Sequence, residues 1–186
     1  MLRRVTWPSQ IQALDEQILH SVHGSPPWLV PLFVIVTVIG GGWGLIVLVL
    51  FAASRATRTA TLWLLAAIVA QSAVVAGIKL LVRRVRPCDA LGWCAPVNIG
   101  SPGGFSFPSG HSAGSFAFAA FIAVRAPRYA PLAIVWAVLV GWSRCVLGVH
   151  YPSDVLTGAV VGSVVGVVFA RLSLRSKAAP ARPEAS

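Results

Sequence analysis

The sequence is short of acidic side chains: five Asp and Glu stand against 15 Lys and Arg in 186 residues. Charged residues of both signs make up only 11% of the chain, whereas a soluble domain carries roughly 25%. With 56% hydrophobic residues and a mean hydropathy of +0.79, that shortage excludes an ordinary soluble globule and points to an integral membrane protein of one domain. Cysteine is scarce as well. Cys88 and Cys94 fall in one loop and Cys145 in a hydrophobic segment, and no zinc-type spacing links them. In an oxidising compartment Cys88 and Cys94 are candidates for a disulfide; in a reducing one they remain thiols. Residues 1–27 lack the apolar run of a signal peptide, because none follows Arg3 and Arg4 before Trp28. Of the five acidic residues only Asp89 and Asp154 lie near the candidate site described below, too few for a carboxylate-held two-metal centre. No cofactor is expected.

The net charge is +10. In a soluble protein that would suggest nucleic acid. Here most cations flank hydrophobic segments, where they orient the chain and meet anionic lipid. Membrane lipids, not nucleic acid, are therefore the expected partners.

Taken in order, residues 1–27 form an interfacial segment. Ile11, Leu14, Ile18, Leu19 and Val22 share one helical face, which suggests a short helix lying on the membrane, although Asp15 falls in the same arc. An anchor is the simpler reading of it, a lid or substrate-entry helix the functional one. Helical spans are predicted at 28–53, 59–82, 109–125, 130–149 and 153–172. The glycines at 40–42 and 44 lack the lysine and Ser/Thr of a phosphate loop, so close helix packing is their expected use. The 109–125 helix is short for a full crossing, which places its N-terminus below the membrane surface or in a water-filled cleft. Residues 83–107 form the one long loop, rich in Gly, Pro and Asn. Such loops are usually functional or disordered, and this one joins two motifs, which favours function. Residues 1–175 read as a single domain, followed by an Ala/Pro-rich tail at 176–186 expected to be disordered. The fold class is thus all-α: an interfacial helix plus about five transmembrane helices in one bundle.

One stretch stands out against this apolar background, Ser143 to Asp154. It sets Arg144, His150 and Asp154 between segments without charge, where ionisable groups are expensive and mark function by default. His150 and Asp154 are four residues apart, a spacing that one helical turn brings to one face. A carboxylate that fixes one imidazole nitrogen leaves the other free as nucleophile or base. Arg144 adds a permanent forked cation suited to phosphate oxygens. Upstream lie Lys79 and Arg86-Pro87, and between them and the main stretch Pro108-Ser109-Gly110-His111.

In order, these stretches read K-x6-RP, PSGH and SR-x5-H-x3-D. They resemble the tripartite signature of the type 2 phosphatidic acid phosphatase superfamily, which also includes the vanadium-dependent haloperoxidases; every motif position is matched between Lys79 and Asp154. The resemblance implies that His150 attacks phosphorus to form a phosphohistidine and that Asp154 orients it. It implies that His111 protonates the leaving oxygen and then activates water. Lys79, Arg86, Arg144, Ser109 and the Gly110 amide would hold the phosphate, the last two at a helix N-terminus. Arg83 and Arg84 are candidate contacts for a second phosphate.

Five spans put the three motifs on one side. The opposite side then receives eight Lys and Arg, and the motif side seven, of which Lys79, Arg86 and Arg144 are accounted for by the site. The four that remain against eight put the motif side outside the cytoplasm. The small size and single long loop resemble the bacterial undecaprenyl-diphosphate phosphatases of this superfamily. Alternatives are a phosphatidate or phosphatidylglycerophosphate phosphatase, or, in another class, a non-catalytic lipid-binding or lipid-translocating protein.

Overall fold

The computed structural model describes residues 7–23, 26–40, 56–92 and 104–178. Among them the architecture is all-α, as expected. Helix α1 spans Ser9–His23 and α2 Val30–Val38, the latter entered by a 3-10 turn at Pro27–Leu29. Helix α3 runs Arg58–Val82, α4 Pro87–Leu91 and α5 Gly110–Arg125; after a 3-10 turn at Pro127–Tyr129, α6 runs Ala130–Val146 and α7 Pro152–Ala178. Three stretches, Arg58–Leu91, Pro127–Val146 and Pro152–Ser176, are long and apolar enough to cross a bilayer. At 16 residues, α5 falls short of a full crossing. The second half of the span expected at 28–53 lies outside the described residues, as does most of the expected tail; α7 itself runs six residues past its expected end at 172.

Small residues build the bundle. On α7 the buried positions Gly158, Gly162, Gly166 and Ala170 recur every four residues, and the exposed positions Leu156, Val160, Val164, Val168 and Leu172 line another face. Large apolar groups thus point outward, where lipid receives them, and bare backbone points at the neighbouring helix. That neighbour is α5. A Cβ on Gly158, Gly162 or Gly166 would fall 2.5, 2.0 or 2.3 Å from the carbonyl oxygens of Ser109, Ala113 and Ala117. Helix α3 closes a third side through Leu64, which clusters with Phe121 and Ala170. Gly40 serves the packing role expected of its glycine cluster, since a Cβ there would meet Val140 of α6 at 2.5 Å; Gly41, Gly42 and Gly44 lie outside the described residues.

Helix α1 is more than a surface anchor. Leu19 and Val22 are buried with Cys145, Val146 and Tyr151, and Asp15 is buried as well. The carboxylate that sat awkwardly in an apolar arc lies on the docked face, where a cation awaits it. The start of the long loop carries a short helix. Pro87 opens α4, Asp89 lies in its first turn, and Gly92 closes it with a left-handed φ of 69°. Cys88 is disulfide-bonded; its candidate partner Cys94 lies outside the described residues. Cys145 is a free, buried thiol.

Candidate active site

Four helix ends converge. Lys79 sits in the last turn of α3, Arg86 caps the start of α4, Ser109 caps α5, and Arg144 lies in the last turn of α6. Backbone bonds lock these ends together. The Cys88 amide donates to the Gly148 carbonyl at 2.9 Å, the Ser106 amide to Arg84 at 2.7 Å, and the Ser109 amide to the Asp154 carbonyl at 3.0 Å. After α6 the chain reverses through Gly148 at φ 67°, a left-handed conformation that favours glycine. The amides of Val149 and His150 then return to the Arg144 carbonyl at 3.2 and 3.3 Å.

His150 therefore lies in the turn before α7, between the expected spans at 130–149 and 153–172. Asp154 is in the first turn of α7, and its Oδ2 accepts from the Tyr151 amide at 2.9 Å. The Asp154 amide in turn donates to the Tyr151 carbonyl at 3.0 Å. The side-chain contact has the form of a capping-box return bond, which fixes the carboxylate relative to the turn that carries His150. His150 Nδ1 comes within 3.5 Å of Asp154 Oδ2, a contact too loose for a hydrogen bond. On the other side of the ring, Nε2 lies 3.2 Å from an Arg86 guanidinium nitrogen. A guanidinium only donates, so Nε2 is the accepting, unprotonated nitrogen and the proton is assigned to Nδ1, facing Asp154. Burial pushes the imidazole pKa down to about 3, Arg86 and Arg144 push the same way, and Asp154 opposes them. The ring is neutral at physiological pH.

The cations surround this ring. Arg86 also donates to the Val149 carbonyl at 2.9 Å. Arg144 is bonded to Thr37 of α2. Lys79 donates to the carbonyls of Phe105 and, at 3.3 Å, Ser106. The Nε atoms of Arg86 and Arg144 are buried with no hydrogen-bond partner among the described residues. His111, half-buried in the first turn of α5, is within electrostatic reach of Arg144, Arg86 and Lys79. Ser109 is fully buried and its hydroxyl accepts from the Ser112 amide at 3.4 Å; Gly110 beside it is half-buried. All eight residues of the three motifs thus meet at one end of the bundle. A neutral imidazole with one unprotonated nitrogen, a ring of cations and a second imidazole at a helix N-terminus can together perform nucleophilic transfer of an anionic group.

Arg83 and Arg84 part company. Arg83 is half-buried, donates from Nε to the Leu80 carbonyl at 2.8 Å, and lies 5.8 Å from the centre of the Phe105 ring. Arg84 does not fit the second-phosphate role expected of it. It is buried, and it spends one terminal nitrogen on Asp154 and Ser153 and the other on Asp15 and Gln12, at 2.7 to 2.8 Å. Its charge is already paired with two carboxylates. Sequence reasoning missed Asp15, Ser106 and Thr37. Ser106 donates to Asp154 Oδ2, and nothing in the motif spacing marks it. Asp15 carried one signal, a carboxylate on an apolar face in a chain with only five acidic residues.

Comparison with known proteins follows the same region. A family model described as the PAP2 superfamily matches residues 60–178. The chain is 40% identical over 130 residues to decaprenylphosphoryl-5-phosphoribose phosphatase of Mycobacterium tuberculosis, covering 68% of this chain and 69% of that protein. It is 37% identical over 68 residues to the undecaprenyl-diphosphatase BcrC of Bacillus subtilis, or 37% of this chain and 35% of that one. Among solved structures it is similar to a transmembrane PAP2-type phosphatidylglycerolphosphate phosphatase from Bacillus subtilis. That likeness has a TM-score of 0.74 and 27% identity, and covers 94% of this chain and 90% of the other. With a family match that spans every motif and relatives that are lipid phosphatases, the chain belongs to the PAP2 superfamily and is a multi-pass membrane enzyme hydrolysing lipid phosphates.

Proposed function

We propose that this phosphatase removes the terminal phosphate of a polyprenyl carrier lipid, of the undecaprenyl diphosphate type, through a phosphohistidine on His150. The observation that carries the mechanism is the two-sided hold on His150, with Asp154 facing Nδ1 and Arg86 facing Nε2. Nε2 attacks phosphorus, and the bond to the leaving oxygen breaks as His111 supplies its proton. Positive charge then builds on the His150 ring, and the 3.5 Å contact to Asp154 closes to a hydrogen bond. Lys79, Arg86 and Arg144 bear the phosphoryl oxygens, joined by the amide of Gly110 and by Ser109 at the N-terminus of α5. His111, now unprotonated, takes a proton from water, whose oxygen attacks phosphorus and releases phosphate and neutral His150. No step calls on a metal ion.

The carrier-lipid reading draws on the relatives named for decaprenyl and undecaprenyl substrates. Arg83 remains the candidate for contact with a second phosphate. The positive-inside count supports a site at the extracytoplasmic face of the cell membrane. A second reading has a glycerolipid phosphate as substrate: phosphatidylglycerophosphate, which the similar solved structure is named for, or phosphatidate. Phosphate release by the purified protein in detergent with EDTA, measured side by side on undecaprenyl diphosphate, phosphatidate and phosphatidylglycerophosphate, ranks these substrates. The diphosphate should lead and vanadate should inhibit. A leading glycerolipid would reverse the ranking. No release from any of the three by folded protein would favour a lipid binder or translocator.

A further inference from the structure

The motifs leave two buried charges among the described residues without a role, Asp15 on α1 and Arg84 after α3. They form one network with Asp154. The two terminal nitrogens of Arg84 reach Asp154 Oδ1 and Asp15 Oδ2, each at 2.7 Å. Asp15 also holds the start of α7. Its Oδ1 accepts from the Ser153 amide at 2.9 Å, and its Oδ2 from the Ser153 hydroxyl at 2.5 Å. Trp7 and Tyr151 cover the guanidinium, with ring centres 3.9 and 3.8 Å from its carbon.

We propose that Asp15 is a positioning residue for the reaction: through Arg84 and Ser153 it fixes Asp154, and through Asp154 the His150 ring. The inference rests on the reading of His150 as nucleophile. It assigns α1 a part in catalysis that neither an anchor nor a lid would have. A guanidinium is planar and rigid, so a carboxylate held at one edge sets the angle of the carboxylate at the other. Arg84 grips Asp154 by Oδ1, leaving Oδ2 to face His150. Charge is set by the same arrangement. Asp15 offsets one Arg84 cation in a site sheltered from water, where it would otherwise act on Asp154 alone. Without that offset Asp154 attracts the proton of His150 less strongly, and attack on phosphorus weakens. The phosphate-holding cations Lys79, Arg86 and Arg144 have other partners. Substrate affinity should therefore stand while turnover falls.

The test is steady-state kinetics on the best-hydrolysed lipid of the panel above, expressed per folded enzyme. In Asp15→Asn, kcat should fall about tenfold with KM within about twofold of the parent, the size of effect seen when a ligand's supporting partner is removed. Asp15→Glu, which restores the charge, should recover most of that loss. Gln17→Ala, an exposed position on the same helix, should match the parent. An Asp15→Asn enzyme with parental kcat and only a lower thermal midpoint would overturn the proposal and leave Asp15 a structural ion pair. So would a loss confined to KM. If Asp15→Asn does not fold, Ser153→Ala decides: about a threefold fall in kcat at unchanged KM supports the proposal, and parental kcat overturns it. Loss of activity in His150→Ala tests the underlying reading separately.

Discussion

Gly162 and Ala113 meet backbone to backbone: a Cβ on the glycine would fall 2.0 Å from the alanine carbonyl oxygen. This contact between α7 and α5 sets the spacing of the two helices whose N-termini carry Asp154 and His111. Both ends must shift if it opens. Gly162→Ala should therefore lower the thermal midpoint and reduce activity together, at a cost of about 1–3 kcal/mol or more for overpacking. Gly77, where a Cβ would meet nothing within 4 Å, is the matched control. There Gly→Ala should be neutral or stabilising by about 0.5–1 kcal/mol. Thermal unfolding in detergent checks both. Equal shifts at the two positions would contradict the packing account.

Arg83 and Arg84 make a sharp pair for substrate work. Removing the charge at Arg83 should reduce diphosphate turnover more than monophosphate turnover, because Arg83 is the one of the two with its charge not already paired among the described carboxylates. Arg84→Gln should reduce both alike and destabilise the fold, since it strips a buried cation from two buried carboxylates. Parallel losses at Arg83 would remove it from the second-phosphate role.

How far the sequence was legible shows in that same pair. The family, the helical membrane bundle and the meeting of the motif residues follow from apolar runs and from three ordered motifs, because lipid-facing helices and a charged site in an apolar chain leave strong local signals. The pairing of Arg84 is not legible in the sequence because its partners are far off along the chain. Asp15 lies 69 residues before it, and the bond between them depends on how α1 docks. The packing of α5 on α7 was written in Gly158, Gly162 and Gly166, but a row of small residues does not name its neighbour. Helix α4 has its signals in Pro87, Asp89 and Gly92, opening, first turn and cap, but the glycine, proline and asparagine of the loop around it mask them.

Stability should carry a pH signature of His150. Its pKa falls from an ordinary 6.5 to about 3 on burial. Between those values the unfolded chain binds a proton that the folded chain refuses. Stability is therefore fully present above about pH 6.5 and declines as pH drops through the window toward 3. Thermal midpoints from pH 4 to 7 should show the decline in the parent protein and a flatter profile in His150→Gln. Parallel profiles would mean that the imidazole is not held neutral by the fold.

Asp15 and Asp154 should be coupled. If Asp15 acts through Asp154, the loss of kcat in the double Asn variant should be close to that in Asp154→Asn alone, and the two single losses should not multiply. Kinetics of the four enzymes of the cycle measure this directly. Multiplying losses would separate the two carboxylates.

The central claim is that phosphate passes through His150, and the most direct measurement is covalent trapping. The protein is mixed with lipid carrying a radiolabelled terminal phosphate, quenched in alkali, where phosphohistidine survives, and digested. The label should be found on the peptide that contains His150. It should accumulate in His111→Gln, which slows hydrolysis of the intermediate by roughly 10²–10⁴-fold, and be absent in His150→Gln. Parental phosphate release by His150→Gln, or label on another residue, would contradict the account.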